Sequence, residues 1–325
     1  MDLIRTGIGL SKTIKNVQRF REILSVFAKH GFDELIINTK LNAVIPNFVI
    51  PKSRFEKNES LDEKNFWSSV GYRLRKSFEE LGPSFIKVGQ LLASREDILD
   101  PALIAQLKLL QNKAQPIPFD QARSVIEKSI NDSIEQVFTH IDPEPIGVAS
   151  IGVVYKAILI TGESVVIKVR RPGIRKTIIT DFEIIAFIVQ RLEKFSNEIK
   201  FLGLSRAIND FFKSIQYELN FLIEANNNKK LSENIKRYDQ DNTFKIPQIY
   251  RDYCSEKILV MEFLDGIPFN DVGDIRDFPV LEKNLKKGVK IFMHTMLSDG
   301  FFHADLHGAN FFKLENDNIS SNNEI

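Results

Sequence analysis

A single cysteine, Cys254, occurs among the 325 residues. A lone thiol excludes an internal disulfide, a C-x-x-C redox centre and any zinc site built from several cysteines. It fits a reducing, intracellular setting. Charge of one sign is lacking too: 44 Lys and Arg stand against 43 Asp and Glu, a formal net charge of +1. No global field draws the chain to nucleic acid, which is therefore excluded as the expected partner, local basic clusters aside. Long apolar runs are also absent. The densest stretches, Ile184–Val189 and Ile291–Leu297, fall short of the roughly 18 residues of a membrane span, so no transmembrane span is expected in this chain. The first residues lack the apolar block and small-residue cleavage site of a secretory signal. There is no internal repeat.

What is present describes an ordinary globular chain, 43% hydrophobic and 27% charged. Its length suits about two domains of the usual ~100–200 residues each. Ile4, Ile8, Ile14, Val17, Phe20 and Leu24, separated by Lys12, Lys15, Arg19 and Arg21, predict a basic amphipathic helix. Packing on its own domain is favoured for this helix over lying on a membrane surface. Residues 1 to about 112 read as helical: Val70, Leu74, Phe78 and Leu81 recur at helical spacing, as do Ile98, Leu103, Leu107 and Leu110 after a break. Pro46, Pro51 and Lys57–Lys64 mark a linker, and Gly82-Pro83 starts a helix. Pro116 and Pro118 end the helical region, and a short helix is expected over Phe119–Ile130. From Pro143 the period becomes that of strands. Val153–Leu159 and Ser164–Val169 flank a Thr161-Gly162 turn, and Lys257–Glu262 forms a further strand. Helices are expected over 177–196, 204–238 and 279–298, followed by the polar tail Lys313–Ile325.

Three constellations carry chemistry. The first is Ile146 followed by Gly147-Val148-Ala149-Ser150-Ile151-Gly152-Val153-Val154, a G-x-A-x-x-G-x-V loop opening a hairpin. Small residues at 147, 149 and 152 let backbone N–H groups approach phosphate oxygens. Taken alone the loop competes with an ordinary tight turn. The next strand shifts the balance, because Val165-Val166-Ile167-Lys168 puts a lysine inside an apolar strand, which is costly without an anionic partner such as nucleotide phosphates. Exposure on an edge strand is the plainer alternative for Lys168. The second constellation lies in Tyr217–Ala225, where Glu224 sits amid apolar neighbours and suits a pairing with Lys168. Taken singly, Glu218 and Glu224 also read as solvated helix charges.

The third is Gly300–Asn310, which contains H-x-D-L-x-x-x-N at the spacing of a kinase catalytic loop. Asp305 would accept or orient the acceptor's proton, and Asn310 would hold Mg²⁺. Ala304 replaces the arginine of H-R-D, so a phosphate on an activation loop has no obvious receiver. A metal site from His303, Asp305 and His307 is the minority alternative.

With these in place, Leu81–Arg95, containing Lys87-Val88-Gly89-Gln90, resembles the K-x-G-Q signature of the UbiB-like atypical kinases, the aarF-domain kinases. The resemblance runs from about Phe78 to Phe312 through five ordered motifs. It implies an α+β, protein-kinase-like fold with an N-terminal helical extension over 1–112, an N-lobe over 113–262 and the start of a C-lobe over 263–325. It implies ATP and Mg²⁺ as cofactors and ATP hydrolysis or phosphoryl transfer supporting ubiquinone biosynthesis. Lys168 and the loop 146–154 would bind ATP, Glu224 would position Lys168, and Asp305 and Asn310 would act as above. Lys87, Gln90 and Glu218 would be regulatory, the K-x-G-Q helix restricting the active site. Ubiquinone-biosynthesis enzymes or a quinone-precursor lipid are the implied partners, and a membrane surface is allowed. The location is cytoplasmic, at most peripheral on the inner membrane. A non-catalytic nucleotide- or lipid-binding scaffold is the alternative; an aminoglycoside-type phosphotransferase is disfavoured by K-x-G-Q.

Departures from the family pattern are specific. Gly147 and Val148 stand where alanines are usual, Val153 and Tyr155 replace Gln and His, and Gly308-Ala309 replaces Pro-Gly. Asn220 replaces the Asp of E-x-D, removing a charge that could engage Lys87. No D-F-G follows Asn310, and Asp317, in a polar turn, is no substitute. The expectation is a shortened product or fragment with weakened or absent catalysis.

Overall fold

A computed structural model describes residues 17–45, 48–51, 53, 63–110, 115–272, 279–304, 306 and 308–314. Ile4, Ile8, Lys12, Ile14, Lys15, Pro46, residues 57–62, Asp305, His307 and residues 315–325, with Asp317, lie outside these. Helices run over Val17–Phe27 (α1), Asp33–Asn38 (α2), Glu63–Leu81 (α3), Pro83–Ala93 (α4), Pro101–Leu107 (α5), Phe119–Ile130 (α6), Ile174–Phe195 (α7), Asn197–Phe201 (α8), Leu204–Glu218 (α9), Phe221–Tyr238 (α10) and Pro279–Leu297 (α11). Strands run over Phe138–Val148 (β1), Gly152–Leu159 (β2), Ser164–Arg170 (β3), Ile258–Glu262 (β4), Gly266–Pro268 (β5) and Phe312–Leu314 (β6). The chain divides into two compact units. One takes in residues up to Ile117 with Val148–Val153 and Arg170–Leu219; the other takes in Pro118–Gly147, Val154–Val169 and the chain from Asn220.

The first unit is helical. In α1 the spacing of Phe20, Ile23 and Leu24 buries one face, as the sequence pattern predicts, whereas Val17 stays 46% exposed. Each such fully buried side chain contributes about 1.5–3 kcal/mol. Arg19, on the same helix, donates from Nε and Nη2 to the Asp181 carboxylate of α7 at 2.8 and 3.1 Å, and from Nη2 to the Leu81 carbonyl at 2.8 Å. Asp181 is fully buried. Burial alone would lower the Arg19 pKa, but the hydrogen bonds and charge of Asp181 outweigh it and hold the guanidinium above its ordinary value. The Leu81 carbonyl ends α3. Gly82 follows at φ 94°, in the left-handed region that suits glycine, and Pro83 opens α4 with φ already helical. Phe27 meets Phe78 and Phe85 edge-on at 6.3 and 6.2 Å. α4 packs on α7, and α7 packs on α9 with Phe182 stacked on Phe212 at 5.2 Å.

The second unit is built on a four-stranded sheet in the order β1-β2-β3-β4. β1 starts at Phe138, earlier than the expected Pro143, and carries Pro143 and Pro145 within it. It is an edge strand, where a missing N–H need not break a ladder. β3 pairs antiparallel with β4, Lys168 opposite Leu259. α6 and α10 pack on β4, and α11 packs on α10. The helix expected over 204–238 is broken at Leu219–Asn220. Asn220 adopts an extended conformation, and its side chain accepts from the Leu222 N–H at 3.1 Å, capping a new helix. Lys287 of α11 is bonded to Asp239 and Asp241 and donates to Thr243 at 2.7 Å, fixing α11 to the end of α10. Helices with antiparallel sheets make the expected α+β class. Among the described residues no helix is long and apolar enough to cross a membrane.

Candidate nucleotide site

In β3, Val165, Ile167 and Val169 are completely buried along one face. Lys168 falls on the other face by strand alternation, beside Val166 and Arg170. Its ammonium donates to both carboxylate oxygens of Glu224, each at 2.8 Å, and lies 5.0 Å from the centre of the Phe221 ring. The side chains are 26% and 43% exposed. Both partners belong to the first turn of α10 or face it, so the Asn220 cap that starts the helix sets where Glu224 points. The structure thus brings together Lys168 and Glu224, and it adds Phe221, which the sequence reading left out. Its signal was present: Phe221 lies three residues before Glu224, on the same helical face. A cation held by one carboxylate and still partly open to solvent can take a second anion, as a phosphate-binding lysine must.

The expected loop 146–154 is shorter in the structure: residues 146–148 end β1, residues 152–154 begin β2, and only residues 149–151 form the turn between them. Ile146 and Val148 are 53% and 37% exposed, whereas Ile151, Gly152 and Val153 are buried. The Ala149 N–H donates to the Gly152 carbonyl at 2.9 Å and is already used within the turn. Arg171 closes the turn from outside, its N–H donating to the Ile151 carbonyl at 2.9 Å and its Nε to the Ala149 carbonyl at 3.0 Å. At Gly147 a Cβ would meet only Val154, at 3.6 Å, so neither crowding nor a left-handed backbone demands glycine there.

Lys87 of α4 donates to Glu218, at the end of α9, at 2.7 Å. The charge missing at Asn220 therefore does not leave Lys87 without a carboxylate; Glu218 supplies it, a pairing the sequence reading did not make. Gln90 is exposed one turn on, and Gly89 faces inward, where a Cβ would collide with Leu110 and lie 2.7 Å from Phe78.

The residues on either side of the H-x-D-L-x-x-x-N segment are held in place. Before it, Asp299 accepts from Arg237 Nη1 at 3.0 Å and from the Tyr238 hydroxyl at 3.2 Å. Burial first, and then this bond to Asp299, raise the Tyr238 phenol above its ordinary pKa. After it, β6 pairs with β5, and the Phe269 N–H donates to the Phe311 carbonyl at 2.8 Å. Gly308, where the resembled pattern has proline, lies against Asn270, whose side chain would collide with any Cβ. His303 and Asn310 are exposed. Asp305 and His307 lie outside the described residues, and among the described ones no group of three or more His, Cys, Asp or Glu could hold a metal ion.

The chain is similar to known proteins in sequence and in fold. The family model described as ABC1 atypical kinase-like domain matches residues 109–321. "Probable protein kinase UbiB" of Marinobacter nauticus is 39% identical over 305 residues, covering 91% of this chain and 53% of that protein. The protein of the same name in Pseudomonas putida is 34% identical over 297 residues, covering 91% and 54%. The chain therefore spans about half the length of the curated relatives it matches. The solved complex of Rv3197 with erythromycin from Mycobacterium tuberculosis is similar in fold, with a TM-score of 0.50 and 22% identity, over 77% of this chain and 62% of that one.

Proposed function

The chain belongs to the ABC1 atypical kinase-like family, and from that premise we propose that it binds Mg²⁺-ATP and serves ubiquinone biosynthesis by ATP hydrolysis or phosphoryl transfer. The bidentate Lys168–Glu224 pair carries this reading, because it fixes a partly exposed ammonium where strand β3 would meet the α- and β-phosphates. The residues present fit a nucleotide: a lysine with one carboxylate, and a short turn rich in small residues. Those backbone N–H groups of residues 146–154 that neither pair β1 with β2 nor, as at Ala149, close the turn would face phosphate oxygens. Asp305 would accept the proton of the acceptor or of water. Asn310 would hold Mg²⁺, which when bound neutralises charge on the phosphates. Lys87 with Glu218, and Gln90, form the regulatory part of the reading. The names of the relatives support ubiquinone biosynthesis as the setting, with its enzymes or a quinone-precursor lipid as partners.

The test is the melting temperature of the chain with and without Mg²⁺-ATP, beside Lys168→Ala. Saturation at about 100 times Kd adds roughly 2.7 kcal/mol, which moves the transition by roughly 5 °C or more. The shift is expected in the wild type and lost in the variant; no shift in a cooperatively melting wild type sinks the nucleotide reading. Turnover is measured separately, and binding without turnover makes the protein a nucleotide-dependent scaffold.

A further inference from the structure

Helix α10 carries Glu224 in its first turn and, at its other end, a row of side chains that grip the residues before the catalytic loop. Lys230 Nζ lies 4.3 Å from the centre of the Phe301 ring. Asn234, 2% exposed, donates to the Phe301 carbonyl at 3.5 Å and accepts from Arg237. Arg237 and Tyr238 both bond Asp299 Oδ1. Tyr238 also stacks on His294 of α11, centroids 4.8 Å apart and rings 12° from parallel. Positions 230, 234, 237 and 238 share one face by the three-to-four spacing of a helix.

Asp299 is an unusual choice for a purely structural contact. Its side chain is only 9% exposed, and Oδ2 has no hydrogen-bond partner among the described residues. A buried carboxylate with one oxygen unsatisfied costs stability that an apolar or amide side chain would not. What the charge provides is direction: two donors on Oδ1 fix the chain just before Gly300, which turns at φ 60° into Phe301, Phe302 and His303.

We infer that Asp299 is a positioning residue, held by Arg237 and Tyr238, through which α10 sets the metal-binding segment in register with Lys168. The inference rests on the nucleotide reading of Lys168. One rigid helix thus serves both ends of a Mg²⁺-nucleoside triphosphate: Glu224 orients the lysine for the phosphates, and roughly 15 Å further along, at Asn234 and beyond, the same helix orients the chain that leads towards Asn310. Loss of the anchor should leave binding of metal-free ATP in place and remove the extra affinity that Mg²⁺ confers.

The experiment titrates ATP into the full chain by calorimetry, with Mg²⁺ and with EDTA, for the wild type, Asp299→Asn, Arg237→Gln and the double variant. Hydrogen exchange is followed at residues 300–304 in the same proteins. Arg237 is 59% exposed, so its variant is expected to fold even if Asp299→Asn does not. The expected result is a fall of about tenfold in the Mg²⁺-dependent gain for either single variant. Metal-free affinity should hold within about twofold, exchange at 300–304 should be faster, and the double variant should be no worse than Asp299→Asn. An unchanged Mg²⁺ gain, or an equal loss with and without metal, overturns the inference. Absence of any nucleotide binding by the wild type overturns the reading of Lys168 instead, and with it the coupling. Exchange at 300–304 then decides the anchor alone, which fails if Asp299→Asn leaves it unchanged.

Discussion

Glu224 presents both of its carboxylate oxygens to Lys168 Nζ at 2.8 Å from the first turn of α10, where the helix dipole favours an anion. Neither side chain is fully buried, so the pair adds little to the stability of the fold; exposed pairs contribute at most about 1 kcal/mol. Glu224→Gln should therefore melt within a few degrees of wild type yet lose most of the stabilisation by Mg²⁺-ATP. Thermal scans with and without nucleotide separate the two effects, and a variant that keeps its full nucleotide shift refutes the positioning role of Glu224.

Asn220 provides a second check. Its side chain caps α10, and losing such a cap costs about 1 kcal/mol. Asn220→Ala should fall by that amount in urea denaturation, whereas Asn220→Asp, equally able to cap, should not. If the alanine variant is neutral, the cap does not decide where α10 begins.

Two glycines should behave in opposite ways. A methyl at Gly89 would collide with Leu110 and crowd Phe78, an overpacking that costs about 1–3 kcal/mol. At Gly147 the nearest atom would be Val154 at an ordinary 3.6 Å. Gly89→Ala should thus lower the denaturation midpoint, with Leu110→Ala relieving part of the loss. Gly147→Ala should be silent in stability, consistent with the alanine that the resembled family pattern has there.

The Asp239–Lys287 contact should be visible in the pH dependence of stability. Burial pushes the Asp239 carboxyl up, but hydrogen bonds from Lys287 and from the backbone N–H groups of Phe244 and Thr243 outweigh it and leave the pKa depressed. A depressed carboxyl stabilises the fold above its unfolded value of about 3.9, and the contribution is lost as pH falls through the folded value. Between about pH 6 and pH 3 the wild type should lose more stability than Asp239→Asn. Parallel slopes in guanidinium titrations would remove Asp239 from the account.

Much of this organisation was legible in the sequence because it depends on neighbours along the chain. The three-to-four spacing of Phe20 and Leu24 buried the face it marked, Gly82-Pro83 opened α4, and the lysine in the Val165–Lys168 strand found Glu224. The failures share a different cause. An apolar period runs on across Asn220, so only the cap geometry shows that 204–238 is two helices. The motif spacing places an acid for Lys87 at position 220, whereas Glu218, two residues earlier, meets it. Arg237 and Tyr238 carry no sequence signal of their partner, since nothing local shows that Asp299, some sixty residues on, returns to them. Long-range pairing of polar groups leaves no period to read.

The bond from Arg19 to the Leu81 carbonyl and the Asp181 carboxylate has a practical consequence for anyone shortening this protein. A version starting at α3 would keep every motif from K-x-G-Q to Asn310 and appear to contain the whole catalytic region. It would also leave the fully buried Asp181 carboxylate without its guanidinium and the last carbonyl of α3 without its donor. An uncompensated interior charge of that kind costs about 3–5 kcal/mol, a large part of the roughly 5–15 kcal/mol that keeps a domain folded. Insolubility of such a fragment would report on the loss of Arg19 and of the buried face of α1 rather than on the chemistry of the site.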